Sequence, residues 1–412
     1  MLYVMYFTLF VGLAYLYSKN LEPKLYITFV ISLILKIAAG IAIGLLYSRY
    51  YDYSGDTFFY HAEGVRLSKI ISRNFLEGLK IIFFEGSANS NPRAFFFIKI
   101  IGLLNFLTAS NYWINGAFCS IFSFIGAWSL CVYLHRNNIV DIWWGAVSLM
   151  LLPSTLLWSS GLLKESLVFG SLCFLVKYTY KFTVEFKLSI ARVFFIIFLI
   201  FLLINLRYFY AAIFIPVTFS FVVSKVLQKK YPKVKIRLLF LGLVLGSLSL
   251  ATLAHPNLSL DYVSTVLLEN YNKVKRISDA GDSFDLFIGK NLFSDLRVVP
   301  QAIFTGLFRP FPWDLALGIK TFAGIENLAV LLISLLALLT FIKKKRLDLE
   351  PLAILTYVFF LSFAIAVVCP NWGSLLRYRI GYQPFFVLLI VQVGSNSDLV
   401  KPKIKTNQRS ST

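Results

Sequence analysis

The chain has 412 residues, of which 58% are hydrophobic, 17% are aromatic and only 15% are charged, and its net charge is +20. Soluble domains average about 45–50% apolar and about 25% charged residues, so this composition excludes an ordinary soluble domain and indicates a protein with many membrane spans. Because the lysines and arginines gather in short loops between apolar runs, as the positive-inside rule requires, we expect a lipid bilayer and no nucleic acid as the partner of this charge.

The first two apolar runs predict spans at about 2–17 and 25–47. The N-terminal run lacks a basic n-region and a clear small-residue cleavage site, so we interpret it as a retained span and not as a signal peptide. The connector "SKNLEPK" is short and basic, which places it in the cytoplasm and the N-terminus outside. The next apolar segment, 94–108, is short and contains Lys99, and we interpret it as an interfacial or re-entrant helix.

The remaining apolar runs predict further spans that alternate across the membrane, with the basic loops on the cytoplasmic side. Counting 94–108 as a full span would move the basic loops at 229–235 and 343–346 outside, which the charge rule disfavours. These predicted spans lie at about 113–134, 141–157, 166–181, 193–206, 210–225, 238–254, 322–342, 351–369 and 380–394.

The sequence therefore predicts an all-α, polytopic integral membrane protein with about eleven transmembrane helices in one domain, residues 1–394. Two long outer loops, at about 48–112 and 255–320, are expected to carry interfacial helices. The polar tail at 395–412 is predicted to be disordered in the cytoplasm.

Five polar motifs fall at the outer ends of the predicted spans, although they are far apart in the sequence. Because all of them lie near one interface, the predicted topology brings them into a single layer, where one site can be built from them. The motifs are "SGDTFFYHAE" (54–63), "WSSGLLKES" (158–166), "NLRYFY" (205–210), "FRPFPWD" (308–314) and "NWGSLLRYR" (371–379).

Positive side chains in these motifs suggest an anionic ligand, since their predicted outer position runs against the positive-inside bias. Arginine binds phosphate through two parallel hydrogen bonds and lysine binds it as a point charge, so we expect the phosphate or pyrophosphate headgroup of a lipid. The alternatives are ordinary headgroup anchoring, or ion pairs with Glu165, Asp314 or Glu326. The side chains concerned are Lys164, Arg207, Arg309, Arg377 and Arg379.

Asp56 is the leading candidate for a catalytic base, because it follows the second span with Tyr60 and His61 beside it. A carboxylate that removes a proton from a sugar hydroxyl contributes about 10²–10⁴-fold to a rate. The alternative is a helix N-cap, since "SGD" before "TFFYHAEGV" is a helix start signal, and a helix N-terminus would itself help to hold an anion. Nearby aromatic residues such as Trp313 could pack on sugar rings or belong to the aromatic belt of the membrane interface.

The sequence assigns no metal, cofactor or disulfide. Of the four cysteines, three lie inside apolar runs and one at the end of a run, and no pair has metal-ligand spacing. The three histidines are scattered. The acidic turn "ISDAGDSFD" (277–285) could bind a divalent cation, but its spacing does not match a calcium loop.

The arrangement resembles the GT-C class of membrane glycosyltransferases, which use polyprenyl-phosphate-linked sugars. The resemblance rests on an acid followed by aromatics in the first outer loop, "GDTFFYHAEG", on the proline-containing span that ends in "LPSTLLWSSGLLKES", and on the segments "FRPFPWD" and "LRYR". It covers most of the chain as an arrangement and only these short motifs in detail. It implies an inverting transfer on the periplasmic face, with Asp56 as the catalytic acid/base and Lys164, Arg309 and Arg377 as lipid-phosphate ligands.

The chain also departs from that family, with two spans before the acidic loop, an outside N-terminus and no soluble C-terminal domain in this sequence. These departures leave open the O-antigen and capsule polymerases, which share outer arginines and a polyprenyl-linked substrate. Two further alternatives are a transporter or flippase of lipid-linked sugars, which would place charges near the membrane midplane, and a scaffold subunit.

The leading hypothesis is a glycosyltransferase of the bacterial inner membrane that acts in surface polysaccharide or glycoconjugate synthesis. It would move a sugar from a polyprenyl-phosphate-linked donor to a glycan, lipid or protein acceptor on the outer face. With Asp56 as the catalytic residue, the expected substrate-binding residues are Tyr60, His61, Lys164, Glu165, Arg207, Arg309, Trp313, Asp314, Arg377 and Arg379.

Overall fold

In the computed structural model the described part of the chain is helical, with short π and 3-10 segments and one isolated bridge between Ser283 and Asn371. The predicted all-α class is confirmed for these residues. The predicted tail at 395–412, and parts of both predicted outer loops, lie outside them. The structure describes residues 2–53, 55–84, 92–254, 260–278, 282–286, 297–315, 319–344 and 348–394.

The helices are numbered in chain order. Those of the first half are α1 (Leu2–Ser18), α2 (Pro23–Leu45), α3 (Asp56–Arg73), α4 (Phe75–Phe84), α5 (Pro92–Leu107), α6 (Tyr112–Arg136), α7 (Ile142–Ala146), α8 (Pro153–Trp158) and α9 (Lys164–Glu185). Those of the second half are α10 (Ile190–Lys230), α11 (Ile236–Ala254), α12 (Leu260–Ile277), α13 (Val298–Phe308), α14 (Ile319–Lys344), α15 (Leu349–Val368), α16 (Trp372–Tyr378) and α17 (Gln383–Gly394). Two of them continue in π turns, α2 at Leu46–Tyr50 and α7 at Val147–Leu151.

Apolar length marks this chain as a membrane protein. Within the described ranges, six helical stretches are long and apolar enough to cross a bilayer, while other apolar helices are shorter. The count of eleven spans and the orientation of the chain stay predictions. The six stretches are Pro23–Tyr50, Tyr112–Arg136, Lys164–Glu185, Ile190–Lys230, Thr321–Leu339 and Leu349–Val368.

Ion pairs at helix termini identify one end of the helix bundle. Lys24 in the first turn of α2 lies 2.6 Å from Asp141 just before α7, and Lys225 near the end of α10 lies 2.5 Å from Glu350 at the start of α15. The charge rule predicts all four positions to be cytoplasmic, and we call this the basic-loop end. The α2 helix runs from there to the opposite end, where α3 begins at Asp56; we call that the Asp56 end.

Helix α10 is a hairpin of two arms and not one straight rod. Arg207 has non-helical backbone angles, with φ −153° and ψ 78°. The ring of Phe195 lies 5.3 Å from that of Phe174, and the ring of Phe221 lies 6.3 Å from that of Tyr180, so both arms pack on the same half of α9. In an unbroken helix, Phe195 and Phe221 would be about 39 Å apart. The chain therefore reverses at Arg207, between the regions predicted as spans 193–206 and 210–225.

Helix α5, predicted as interfacial or re-entrant, starts and ends at the same end of the bundle. At its start the Arg93 guanidinium lies 4.0 Å from the ring centroid of Tyr208, which follows the turn of α10. Just after its end, Thr108 donates a hydrogen bond of 2.7 Å to Asn115 in the first turn of α6. Both contacts lie at the Asp56 end, so α5 lies along that end of the bundle.

The segment between α8 and α9, 159–163, is a non-helical piece of chain buried inside the bundle. The Gly161 N–H donates to Ser120 Oγ at 2.8 Å, which ties the segment to α6. A Cβ on Gly40 would lie 2.7 Å from Ser120 Oγ and 3.2 Å from the nitrogen of Gly161, so α2 approaches this closely only because it has glycine there. Non-helical backbone at membrane depth is tolerated where protein encloses it. This segment leads directly into Lys164 and Glu165.

Candidate functional site

The Glu165 carboxylate is the centre of an ionic cluster at the Asp56 end. It is fully buried in the first turn of α9, and it accepts a hydrogen bond of 2.5 Å from Arg207 Nη2 on one oxygen and of 2.9 Å from Arg377 Nη2 on the other. A buried carboxylate is tolerated only when it is paired in this way, and the N-terminal end of a helix dipole favours a negative charge. Glu165 therefore fixes two guanidinium groups that come from distant parts of the sequence.

Arg377 extends the cluster to Asp56. Its Nη1 donates to Asp56 Oδ2 at 3.1 Å, while the Asp56 side chain stays 53% exposed. The N-cap position of α3 is Gly55, and Asp56 is the first helical residue, so the interpretation of Asp56 as the cap residue is wrong. The carboxylate is thus held by a cation on one side and open to solvent on the other.

Gly55 and Tyr47 set the position of Asp56. A Cβ on Gly55 would lie 2.0 Å from the ring of Tyr47, so only glycine allows α3 to start this close to α2. Tyr47 is buried, and its hydroxyl is close enough to Arg377 and Asp56 to interact with them electrostatically. Tyr47 is not distinguished in the sequence, because a tyrosine after an apolar run is also typical of the interfacial aromatic belt.

Lys164 is the cation of this cluster that has no anionic partner among the described residues. The side chain is buried, and its ammonium lies 4.5 Å from the ring centroid of Tyr60. No described atom accepts a hydrogen bond from it. Burial and the nearby Asp56 carboxylate raise the pKa of Tyr60 well above its usual value, so the phenol keeps its proton at neutral pH. A lysine held on a ring face with free N–H groups is suited to an anionic ligand.

The described cluster carries an excess of one positive charge. Its cations are Lys164, Arg207 and Arg377, and its anions are Asp56 and Glu165. Because both guanidinium groups are already bound to Glu165, the excess charge resides mainly on the lysine. Of the five cations that the sequence proposed for phosphate, Lys164 is the one whose described donors all lack a partner, whereas Arg207, Arg377 and Arg379 each keep only a buried Nε unpaired.

Arg207 is committed to protein contacts on both sides. Besides Glu165, it donates from Nη1 to the hydroxyl of Tyr378 at 3.1 Å, and its guanidinium lies 4.4 Å from the centroid of that ring. The turn of α10 places it there, since its backbone forms the break between the two arms. These contacts indicate that Arg207 holds Glu165 and Tyr378 in position and is not itself the ligand-binding residue.

Arg309 and Asp314 form a second, separate pair. Arg309 donates from Nε and Nη2 to the two Asp314 oxygens at 3.0 and 2.7 Å, and its guanidinium lies 5.3 Å from the ring centroid of Trp372, at the start of α16. Partial burial acts to raise the pKa of Asp314, but hydrogen bonds from Arg309 and the Phe311 N–H hold it below its usual range. Arg309 is thus in an ion pair with Asp314, which was the alternative to phosphate binding.

Trp313 and Arg379 lie outside the ionic cluster. Trp313 is 71% exposed and contacts Phe311. Arg379 is fully buried and donates to Asn327 Oδ1 and to the Thr305 carbonyl, both at 2.8 Å, and to the carbonyl of Arg309. Arg379 follows α16 and joins it to the last turn of α13 and to the third turn of α14, which is a structural position without access for a ligand.

His61 is also turned away from the ionic cluster. Its ring lies edge-on against Tyr112 with centroids 5.4 Å apart, and Nδ1 is buried with no partner among the described residues. Burial lowers the pKa of His61 below its usual value, so the imidazole is neutral at pH 7. It packs α3 on α6 and does not face Lys164.

No cluster of metal-ligating side chains occurs in the described ranges: no group of three or more His, Cys, Asp or Glu residues could hold an ion there. In the acidic turn at 277–285, Asp285 pairs with Lys275, and Asp282 accepts a hydrogen bond of 3.0 Å from Asn371. Positions 279–281 of this turn lie outside the described residues.

No protein-family model, curated protein or solved structure matches this chain. The likeness to membrane glycosyltransferases therefore stays a prediction from the motifs, and functional inference depends on the site itself.

Proposed function

We propose that the ionic cluster at the Asp56 end is the active site of a membrane glycosyltransferase. The enzyme would transfer a sugar from a polyprenyl-phosphate-linked donor to a glycan, lipid or protein acceptor at the outer face of a bacterial inner membrane. The observation that carries the proposal is that one positively charged cluster contains both a buried Lys164 ammonium without a hydrogen-bond partner and a half-exposed Asp56 carboxylate. A cation for a phosphate and a base for a hydroxyl are the two groups that this reaction needs.

Each residue has a distinct role in the proposed step. The acceptor hydroxyl oxygen attacks the anomeric carbon and its proton passes to Asp56. The bond between that carbon and the phosphate oxygen breaks, and the electron pair leaves with the polyprenyl phosphate. Lys164 binds this phosphate and stabilises the charge that develops on it, and the Tyr60 ring holds the lysine in place. Attack from the face opposite the leaving group inverts the configuration of the sugar.

Arg207 and Arg377 act through Glu165 in this proposal. Both guanidinium groups are bound to that carboxylate. They therefore stabilise the phosphate by their electrostatic field and do not bind it directly. Arg377 also orients Asp56 through their ion pair. A polysaccharide polymerase with a growing glycan as acceptor would use the same groups.

The test is transfer of radiolabelled sugar by the purified protein in lipid nanodiscs, with a panel of polyprenyl-phosphate-linked sugars as donors. Asp56→Asn should remove transfer, while its thermal stability and its affinity for polyprenyl phosphate without sugar change little. Asp52→Asn is the matched control and should leave transfer intact. Asp52 is an acid of the same loop, and none of the contacts that the structure describes joins it to the ionic cluster. Full transfer by Asp56→Asn would remove the residue from the mechanism.

One observation favours the transporter alternative. Lys36 is buried at the middle of the α2 span, beside the non-helical segment 159–163. Charged groups at the midplane and broken helices are typical of transporters. Vesicles containing the purified protein distinguish the two functions: movement of fluorescent lipid-linked sugar between leaflets, without sugar transfer by any donor, would favour transport.

A further inference from the structure

Lys36 is a charged residue in the middle of a membrane span. It lies at the centre of the stretch Pro23–Tyr50 and is only 1% exposed. Ionisable side chains at such a position are costly in free energy and are found where they have a partner or a function. No described carboxylate lies within ion-pair distance of Lys36, so the described part of the chain provides no counter-charge for it.

The surroundings of Lys36 are those of an ammonium group. Its Nζ donates a hydrogen bond to Ser159 Oγ and lies 5.8 Å from the ring centroid of Phe169. The Ser159 hydroxyl gives its own hydrogen to the Thr155 carbonyl at 2.5 Å, so a lone pair of its oxygen is what faces the lysine. An acceptor oxygen and an aromatic face both favour a positive charge. They occupy one N–H group and leave the other donors unused.

Two further unused donors lie one helical turn along the chain from Lys36 and from its partner Ser159. The hydroxyls of Ser32 and Thr155 are buried and have no hydrogen-bond partner among the described residues. Ser32 is one helical turn from Lys36 on the same face of α2, and Thr155 is one turn before Ser159. A buried hydroxyl without a partner is unfavourable, and an anion accepts hydrogen bonds from hydroxyls and ammonium groups alike.

We propose that Lys36 and Ser159, together with the hydroxyls of Ser32 and Thr155, form a binding site for a small monovalent anion such as chloride at the middle of the membrane. All four side chains are at least nine-tenths buried, so the site excludes a bulky anion. The site is distinct from the outer cluster and does not depend on the proposed function. Ser159 begins the non-helical segment that ends at Lys164, so a bound anion would also stabilise the segment that positions the outer cluster.

Thermal unfolding of the purified protein in detergent tests this site, with sodium chloride exchanged for sodium gluconate at constant ionic strength. An anion that binds the folded state raises its stability by linkage, so the melting temperature should rise with chloride and saturate, by about 2 °C at ten times the dissociation constant. Lys36→Met should abolish this rise. If the wild-type protein melts at the same temperature in the two salts, Lys36 is an uncharged amine that binds no anion, and the proposal is overturned.

Two further variants separate this site from other chloride effects. Lys164→Met removes the free cation of the outer cluster and should keep the full chloride response; loss of the response in that variant would place the anion in the outer cluster and overturn the proposal. Ser159→Ala keeps the amine and removes one polar partner, so the half-saturating chloride concentration should rise about tenfold. If Lys36→Met does not yield folded protein, Ser159→Ala decides, and an unchanged half-saturating concentration would exclude the site.

Discussion

Asp56 and Arg377 are 321 positions apart in the sequence, and yet Asp56 Oδ2 and Arg377 Nη1 lie 3.1 Å apart. Arg377 reaches this position because α16 is a short helix that projects its last turn toward Glu165 and Asp56. The pair links the start of α3 to the end of α16 and completes a cluster that no single stretch of sequence contains.

Removal of the Glu165 charge should destabilise the fold. Glu165→Gln would leave Arg207 buried without a carboxylate and Arg377 with only the half-exposed Asp56 as its carboxylate partner, and breaking a buried pair in this way costs about 3–5 kcal/mol. The free energy of unfolding, or the melting temperature in detergent, measures this. Glu63→Gln is the control, because Glu63 pairs with Arg66 on an exposed helix face, where the pair is worth about 0.2–0.5 kcal/mol. Equal effects of the two changes would contradict the central position of Glu165.

Removal of the Lys164 ammonium should weaken ligand binding without weakening the fold. In Lys164→Met no described protein acceptor loses a hydrogen bond, while a bound phosphate would lose a charged one, worth about 1.5–3 kcal/mol, or roughly 10–100-fold in affinity. Displacement of fluorescent polyprenyl phosphate from nanodiscs measures the affinity. Lys69→Met, an exposed lysine of α3, is the control, and affinity equal to the wild type in Lys164→Met would assign the phosphate to other residues.

Arg379 should behave as a structural residue, although the sequence selected it for phosphate binding. Arg379→Met would leave two described acceptors, Asn327 Oδ1 and the Arg309 carbonyl, without a donor, at about 1–3 kcal/mol for each, while the Thr305 carbonyl keeps the Arg309 N–H. We therefore expect a lower melting temperature and an unchanged affinity for polyprenyl phosphate in the protein that remains folded. A selective loss of affinity at unchanged stability would restore the binding role.

Gly55 should tolerate no side chain while Tyr47 is present. Gly55→Ala places a Cβ within the ring of Tyr47 and would displace the start of α3, and with it Asp56. We expect transfer activity to fall at least tenfold, and the double variant Gly55→Ala with Tyr47→Ala to recover part of that loss, which a double-mutant cycle quantifies. Purely additive losses would mean that the two residues do not act on each other.

His61 should make stability depend on pH below neutrality. Burial lowers its pKa in the folded protein, so the unfolded chain binds a proton first as the pH falls. The contribution of neutral His61 is fully present above its unfolded pKa of about 6.5 and is lost as the pH falls below that value. Melting temperatures from pH 8 to pH 5 should therefore decline less in His61→Gln than in the wild type, with His135→Gln at the basic-loop end as the control.

Hydropathy and loop charge predicted the helical membrane class, because they depend on local composition alone. The same features selected the motifs of Asp56, Lys164, Glu165, Arg207 and Arg377, since side chains at the same ends of packed helices are neighbours. The sequence could not tell which arginines would be free, because that depends on tertiary partners: Arg309 binds the nearby Asp314, and Arg379 is enclosed by carbonyls from other helices.

Lys36 is a site residue that hydropathy does not reveal. It was counted within an apolar run, since one lysine hardly changes the mean hydropathy of such a window. Its position at the centre of the run was a signal for function that the average concealed. Its partner Ser159 could not be predicted, because the two residues are 123 positions apart and meet only where the non-helical segment passes α2.

The reversal of α10 at Arg207 constrains how this protein can evolve. Each residue added to an arm of the hairpin would rotate the turn by about 100° and advance it by about 1.5 Å, which would carry the guanidinium away from Glu165. Lipid-facing substitutions along the two arms should drift freely among homologues, while insertions and deletions between Ile190 and Arg207 should be purged. We therefore expect selection to act on the spacing of these helices more than on their composition.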